Sequence, residues 1–162
     1  MLYLLCDLAI SQNITIVENS NFTGAIFPAE YNFLDSFLKD EKRFTPTEAE
    51  ILDIEKKLRL QIRKLENQGL RKKNRKQYVA QHLKNYVRQY TGYYDQDGNR
   101  IIYINSIWSE SANVIDYGAG ETEPDWKIHW LRVMDCGIHC WNVKYNATRK
   151  RFIDFSANNS MS

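Results

Sequence analysis

The chain has 162 residues and a mass of 19.2 kDa, 43% hydrophobic and 26% charged, which fits one globular domain with a core of its own. Its 22 Lys and Arg against 20 Asp and Glu leave a net charge of +2, so overall charge selects no acidic partner. A mean hydropathy of -0.56 and the lack of any long apolar run exclude a membrane-spanning helix.

Residues 1–11 read as a targeting remnant. Leu2 to Ile10 is mostly apolar and ends in Ala9-x-Ser11, the small-x-small pattern of a signal-peptidase site. The expectation is a signal peptide that starts upstream, a single α+β domain over 12–162, and an extracytoplasmic location, periplasmic or secreted. Cys6 leaves with such a signal, so Cys136 and Cys140 remain. Beyond it, Ile14-Thr15-Ile16-Val17 suits a short strand, and Tyr31, Leu34, Phe37 and Leu38 have the spacing of a short amphipathic helix.

The clearest local signal is Thr45-Pro46-Thr47-Glu48. Thr45 is expected as N-cap, Pro46 as first helical residue and Glu48 as the returning partner of a capping box. Ile51, Ile54, Leu58, Ile62 and Leu65 then step by three or four and draw one apolar stripe down a long helix. Acids precede bases along it, as the helix dipole favours, and Gly69 is a suitable stop.

From Tyr86 the period becomes strand-like. Tyr86–Tyr94 and Arg100–Trp108 flank the turn cluster Asp95-Gln96-Asp97-Gly98-Asn99 and predict a hairpin. A polar loop follows from Ser109 to Asp125. Trp126–Val133, Ile138–Tyr145 and Arg151–Ser156 complete a predicted antiparallel sheet of four to five strands, curved over the long helix.

Chemical motifs are sparse. No nucleophile elbow, P-loop, dinucleotide fingerprint or metalloprotease helix occurs, and His82, His129 and His139 lie beside no recognisable partner motif. No catalytic, cofactor-binding or metal-ligating residue is assigned, and the expectation is a protein that is not an enzyme. Cys136 and Cys140 are read as two ordinary small residues. Four residues apart on a straight strand they would be about 13 Å from each other, too far for a bridge unless the chain turns. Two features suit binding. Tyr93, Tyr94, Tyr103, Trp108, Trp126, Trp130, Trp141 and Tyr145 populate the strands and point to a protein partner at the outer sheet face or at the 109–125 loop. Lys56 to Lys76 carries ten Lys or Arg and one acid, Glu66, which suits nucleic acid or another acidic polymer, although near-neutral overall charge and an extracytoplasmic address make nucleic acid the weaker reading.

The order of capped helix and hairpins resembles the cystatin-like and NTF2-like α+β rolls. Phe44-Thr45-Pro46-Thr47-Glu48, Arg88-Gln89-Tyr90-Thr91-Gly92-Tyr93, Ile102-Tyr103-Ile104-Asn105, Trp141-Asn142-Val143-Lys144-Tyr145 and Phe152-x-Asp154-Phe155-Ser156 resemble small secreted proteins of Bacteroidetes. That resemblance implies a fold and an address, and no activity. Cystatins block papain-like proteases with a Q-x-V-x-G hairpin and a Pro-Trp loop. The nearest match, Gln77-Tyr78-Val79-Ala80-Gln81, ends in Gln81 where the family has Gly, and Asp125 splits Pro124 from Trp126. Protease inhibition is therefore a secondary expectation.

Overall fold

The computed structural model describes residues 13–33, 37–69, 78–114, 125–133 and 136–157. The predicted signal remnant, residues 1–11, lies outside them. The architecture is α+β, with one long helix and a seven-stranded, mostly antiparallel sheet. The strands are β1 (Thr15–Asn19), β2 (Phe22–Ile26), β3 (Arg43–Phe44), β4 (Tyr86–Tyr94), β5 (Arg100–Trp108), β6 (Cys140–Asn146) and β7 (Arg151–Ala157). The helices are α1 (Glu48–Gly69), α2 (Tyr78–Gln81) and α3 (Ser109–Val114). Spatial order is β1-β2-β4-β5-β6-β7, with β3 also on β4.

The β4–β5 hairpin has the predicted bounds. Its turn is built by Asp95, whose carboxylate accepts hydrogen bonds from the Asp97 and Asn99 amides and from the Asn99 side chain, while Gly98 supplies a φ of +77°. Those bonds hold the Asp95 carboxyl below its ordinary pKa. Between β6 and β7 the register slips at Asn142 and Lys144, with Asp154 in the left-handed region at φ +53°.

Three expectations need correction. The sheet has seven strands rather than four or five, because β1–β2 is a hairpin and β3 a two-residue addition. Trp126–Val133 is not a strand but a single 3-10 turn followed by irregular chain, and β5 pairs directly with β6. Of the short helix expected over Tyr31, Leu34, Phe37 and Leu38, residues 34–36 lie outside the described residues, while 31–33 are irregular and 37–40 form a turn. The capping box is shifted by two residues: the Glu50 amide donates to Thr47 Oγ1, and the Thr47 amide donates to Glu50 Oε2. Thr45 instead accepts from the Ala29 amide, tying the β2–β3 connection to the helix entry.

β2 runs parallel to β4, which requires a crossover, and the chain through α1 provides it. β2 occupies the first half of the β4 edge and β3 the second, at Gly92 and Tyr93. A Cβ on Gly92 would stand 2.6 Å from the Phe44 ring and 2.7 Å from its carbonyl oxygen, so only glycine allows this approach. The helix-side core joins Ile51, Ile54, Leu58, Ile62 and Leu65 to Tyr86, Tyr90, Ile102, Ile104, Trp141, Val143 and Tyr145. A second core on the opposite face gathers Ala25, Phe27, Tyr31, Val87, Ile107, Trp126 and Leu131. The sheet is covered on both sides over much of its area.

Candidate functional site

Side chains alternate across the strands, so α1 sets which residues can face outward. Tyr86, Arg88 and Tyr90 of β4, Ile102 and Ile104 of β5, and Trp141, Val143 and Tyr145 of β6 face the helix. The outward rows follow from the register. Val87, Ile107 and Cys140 form the first; Gln89, Asn105 and Asn142 the second; Thr91, Tyr103 and Lys144 the third; Tyr93, Ile101 and Asn146 the fourth.

The second row is an anchor. Gln89 is fully buried, and its Nε2 donates to the carbonyls of Trp126 (2.8 Å) and His129 (2.6 Å). Its Oε1 accepts from the Leu131 amide (2.9 Å) and from Asn105 Nδ2 (3.0 Å), and Asn105 also donates to the Leu131 carbonyl. One amide thus satisfies four groups, and the irregular 126–131 segment has its Trp126, His129 and Leu131 backbone groups paired without becoming a strand.

That anchor sets Trp130 over the third row. The Trp130 amide donates to the Tyr31 hydroxyl. Its indole stacks on Phe37 (centroids 5.4 Å apart, 20° between planes) and lies 5.3 Å from Phe33 and 6.0 Å from Tyr103. Phe37 meets Tyr103 edge-on at 5.1 Å. Phe33, Phe37, Tyr103 and Trp130 are all half-buried, so each ring is packed on its neighbours and keeps part of its surface accessible. Cations flank them: the Arg43 guanidinium is 4.9 Å from the Phe33 ring centre and donates to the Tyr31 carbonyl, and Lys144 pairs with Asp154 at 3.0 Å. Burial works against the Lys144 charge, yet its bonds to Asp154 and Tyr93 leave its pKa raised. The ledge is suited to holding an apolar or planar surface by stacking, with positive charge at its rim.

Burial pushes the Tyr103 hydroxyl up to about 12, with Arg132 partly opposing, and raises Tyr93 in the same direction. A phenol whose folded pKa exceeds its unfolded value near 10 adds stability that is complete below pH 10 and is lost as pH climbs through the folded value. Stability should therefore fall from pH 10 toward 12, by about 1.4 kcal/mol per pH unit for Tyr103. Denaturant midpoints across that range, read beside phenolate absorbance, test this. Tyr103→Phe should flatten the slope; an unchanged slope would show that Tyr103 ionises as freely as in the unfolded chain.

The other sequence candidates scatter. Trp141 and Tyr145 belong to the helix-side core, Trp126 is buried in the opposite core, and Tyr94 packs on Phe44. Trp108 lies at the end of the sheet, stacked on His139 and tilted against His82. Cys136 and Cys140, read as ordinary cysteines too far apart to bridge unless the chain turns, form a disulfide, because the 3-10 turn Gly137–His139 folds the chain and brings their Cα atoms to 5.7 Å. His129 sits on the anchored segment, away from that bridge in the chain. Among the described residues no three His, Cys, Asp or Glu side chains gather as a metal site, and no helix is long and apolar enough to cross a membrane. Val79, central to the cystatin-like segment, is buried at the start of α2, where the Glu66 carboxylate receives the Val79 and Ala80 amides. Of the basic stretch, Lys56, Arg59, Arg63 and Lys64 are exposed on α1, while residues 70–77 lie outside the described residues. Gln89, Asn105 and Arg43 were not legible as site residues, since only the strand register reveals what they face. No family model, curated protein or solved structure matches the chain.

Proposed function

We propose that this is a non-enzymatic binding or accessory protein of an extracytoplasmic compartment, with the aromatic ledge on the outer sheet face as its contact surface for a protein partner. The observation that carries the reading is the set of four half-buried rings, Phe33, Phe37, Tyr103 and Trp130, packed on one another beside Arg43 and Lys144. Rings immobilised before contact lose little entropy on binding, which is what an interface anchor needs. The Cys136–Cys140 disulfide favours an oxidising address. The long helix lying against the antiparallel β4–β7 meander supports a roll of the cystatin-like or NTF2-like kind, with the parallel β2 as a departure.

A photo-crosslinking residue placed at Phe37 or Tyr103, in cells of the protein's own source, should trap one discrete adduct that the same probe at Thr148 does not. With the trapped partner purified, Trp130→Ala should weaken binding by at least about tenfold while leaving the fold intact. Adducts equal at all three positions, or none at Phe37 and Tyr103, would reject the ledge as the contact surface.

A further inference from the structure

The outward side of α1, across the sheet from the ledge, carries a second surface. With the apolar stripe turned into the core, the opposite face presents Leu52, Lys56, Arg59, Leu60, Arg63 and Lys64, all exposed. Among the described residues none of these four cations is ion-paired, whereas Lys57, nearer the sheet, is held by Asp53 and donates to the Tyr145 hydroxyl. The one carboxylate in the sequence from Lys56 to Lys76, Glu66, cannot neutralise them, because it is buried and occupied by the first amides of α2. In the middle of the positive field stands Leu60, 80% exposed.

We propose that this face docks the protein on an anionic lipid bilayer. Uncompensated cations spaced along a rigid, convex helix match a flat negative surface, and each Lys or Arg near such a surface adds a similar increment of attraction. The exposed leucine decides between lipid and other polyanions. An aliphatic side chain gains by entering the acyl boundary beneath a layer of headgroups, and gains nothing against a phosphate backbone. The contact is peripheral, since the helix's own apolar stripe is spent on the core.

The test is co-sedimentation of the full chain with vesicles of equimolar phosphatidylglycerol and phosphatidylcholine, beside vesicles of phosphatidylcholine alone, at low and raised salt. Binding is expected only to the anionic vesicles and should weaken with salt. Arg59→Gln with Arg63→Gln should weaken it by about thirtyfold, and Leu60→Ser by roughly tenfold, with circular dichroism unchanged. Equal binding to both vesicle types, or binding that both variants leave intact, would overturn the proposal. So would tighter binding to a single-stranded oligonucleotide that ignores Leu60→Ser, which would assign the face to nucleic acid.

Discussion

Glu55→Ala should destabilise the protein by about 3–5 kcal/mol, the largest single-residue loss expected in the helix-side core. Among the described residues Glu55 is the carboxylate paired with the buried Arg88, at 3.4 Å, and both side chains are almost fully shielded from water. Arg88 makes two further bonds, to the Tyr86 carbonyl (2.7 Å) and the Leu83 carbonyl (2.9 Å), and lies 5.0 Å from the centre of the Trp141 ring. None of these carries a negative charge. Without Glu55 the guanidinium would be a buried cation with carbonyl dipoles alone, and the Tyr90 hydroxyl, which donates to Glu55 Oε1 at 2.8 Å, would lose its acceptor. Burial and the Glu55 charge push the Tyr90 pKa well above its ordinary value, so Tyr90 stays a donor throughout the neutral range. Urea denaturation of Glu55→Ala, Arg88→Met and the double variant gives the coupling. The double should be milder than the sum of the singles, because it removes both charges together. A loss below about 1 kcal/mol for Glu55→Ala would show that the Arg88 charge finds another partner.

This network explains why part of the fold was readable in advance and part was not. The α1 stripe was legible because Ile51, Ile54, Leu58, Ile62 and Leu65 bury by periodicity alone, and all five are in the core. The β4–β5 hairpin was legible because Asp95 to Asn99 form their turn from local bonds. Glu55 interrupts the same helix as a charge on a near-buried position, and nothing in its spacing says that Arg88 waits opposite. Trp126 to Val133 has strand composition, yet its Trp126, His129 and Leu131 backbone groups bond to the Gln89 and Asn105 side chains instead of a neighbouring strand. Local propensity cannot register such a substitution of side-chain for ladder bonds. The cysteine pair turns on a related point: a straight strand holds the two too far apart for a bridge, and the 3-10 turn that Gly137, at φ +57°, allows closes the gap. For the ledge, aromatic content was visible and its partition between two faces was not.

Gln89→Leu should cost roughly 3 kcal/mol or more, even though leucine suits a buried strand position. The cost arises from what is left behind. The Leu131 amide and one Asn105 donor lose their acceptor, and the Trp126 and His129 carbonyls lose their shared donor, all in the outer core. Two of those groups can turn to water only if the segment lifts from the sheet, so the damage should be local. Hydrogen exchange at the Leu131 amide should rise steeply while the β4–β5 ladder keeps its protection. Trp130, bonded through its amide to Tyr31, rides on the same segment, and its fluorescence should shift to the red as the indole leaves Phe37. Gln89→Glu is the sharper control. It keeps the acceptor for the Leu131 amide and Asn105 but replaces the donating nitrogen with an oxygen facing two carbonyls, so it should fare no better than leucine. If Gln89→Leu kept the Leu131 amide protected, the segment would be held by packing alone. If both released it, partner binding at the ledge should fall with them, because the four rings align only while Gln89 holds the backbone beneath Trp130.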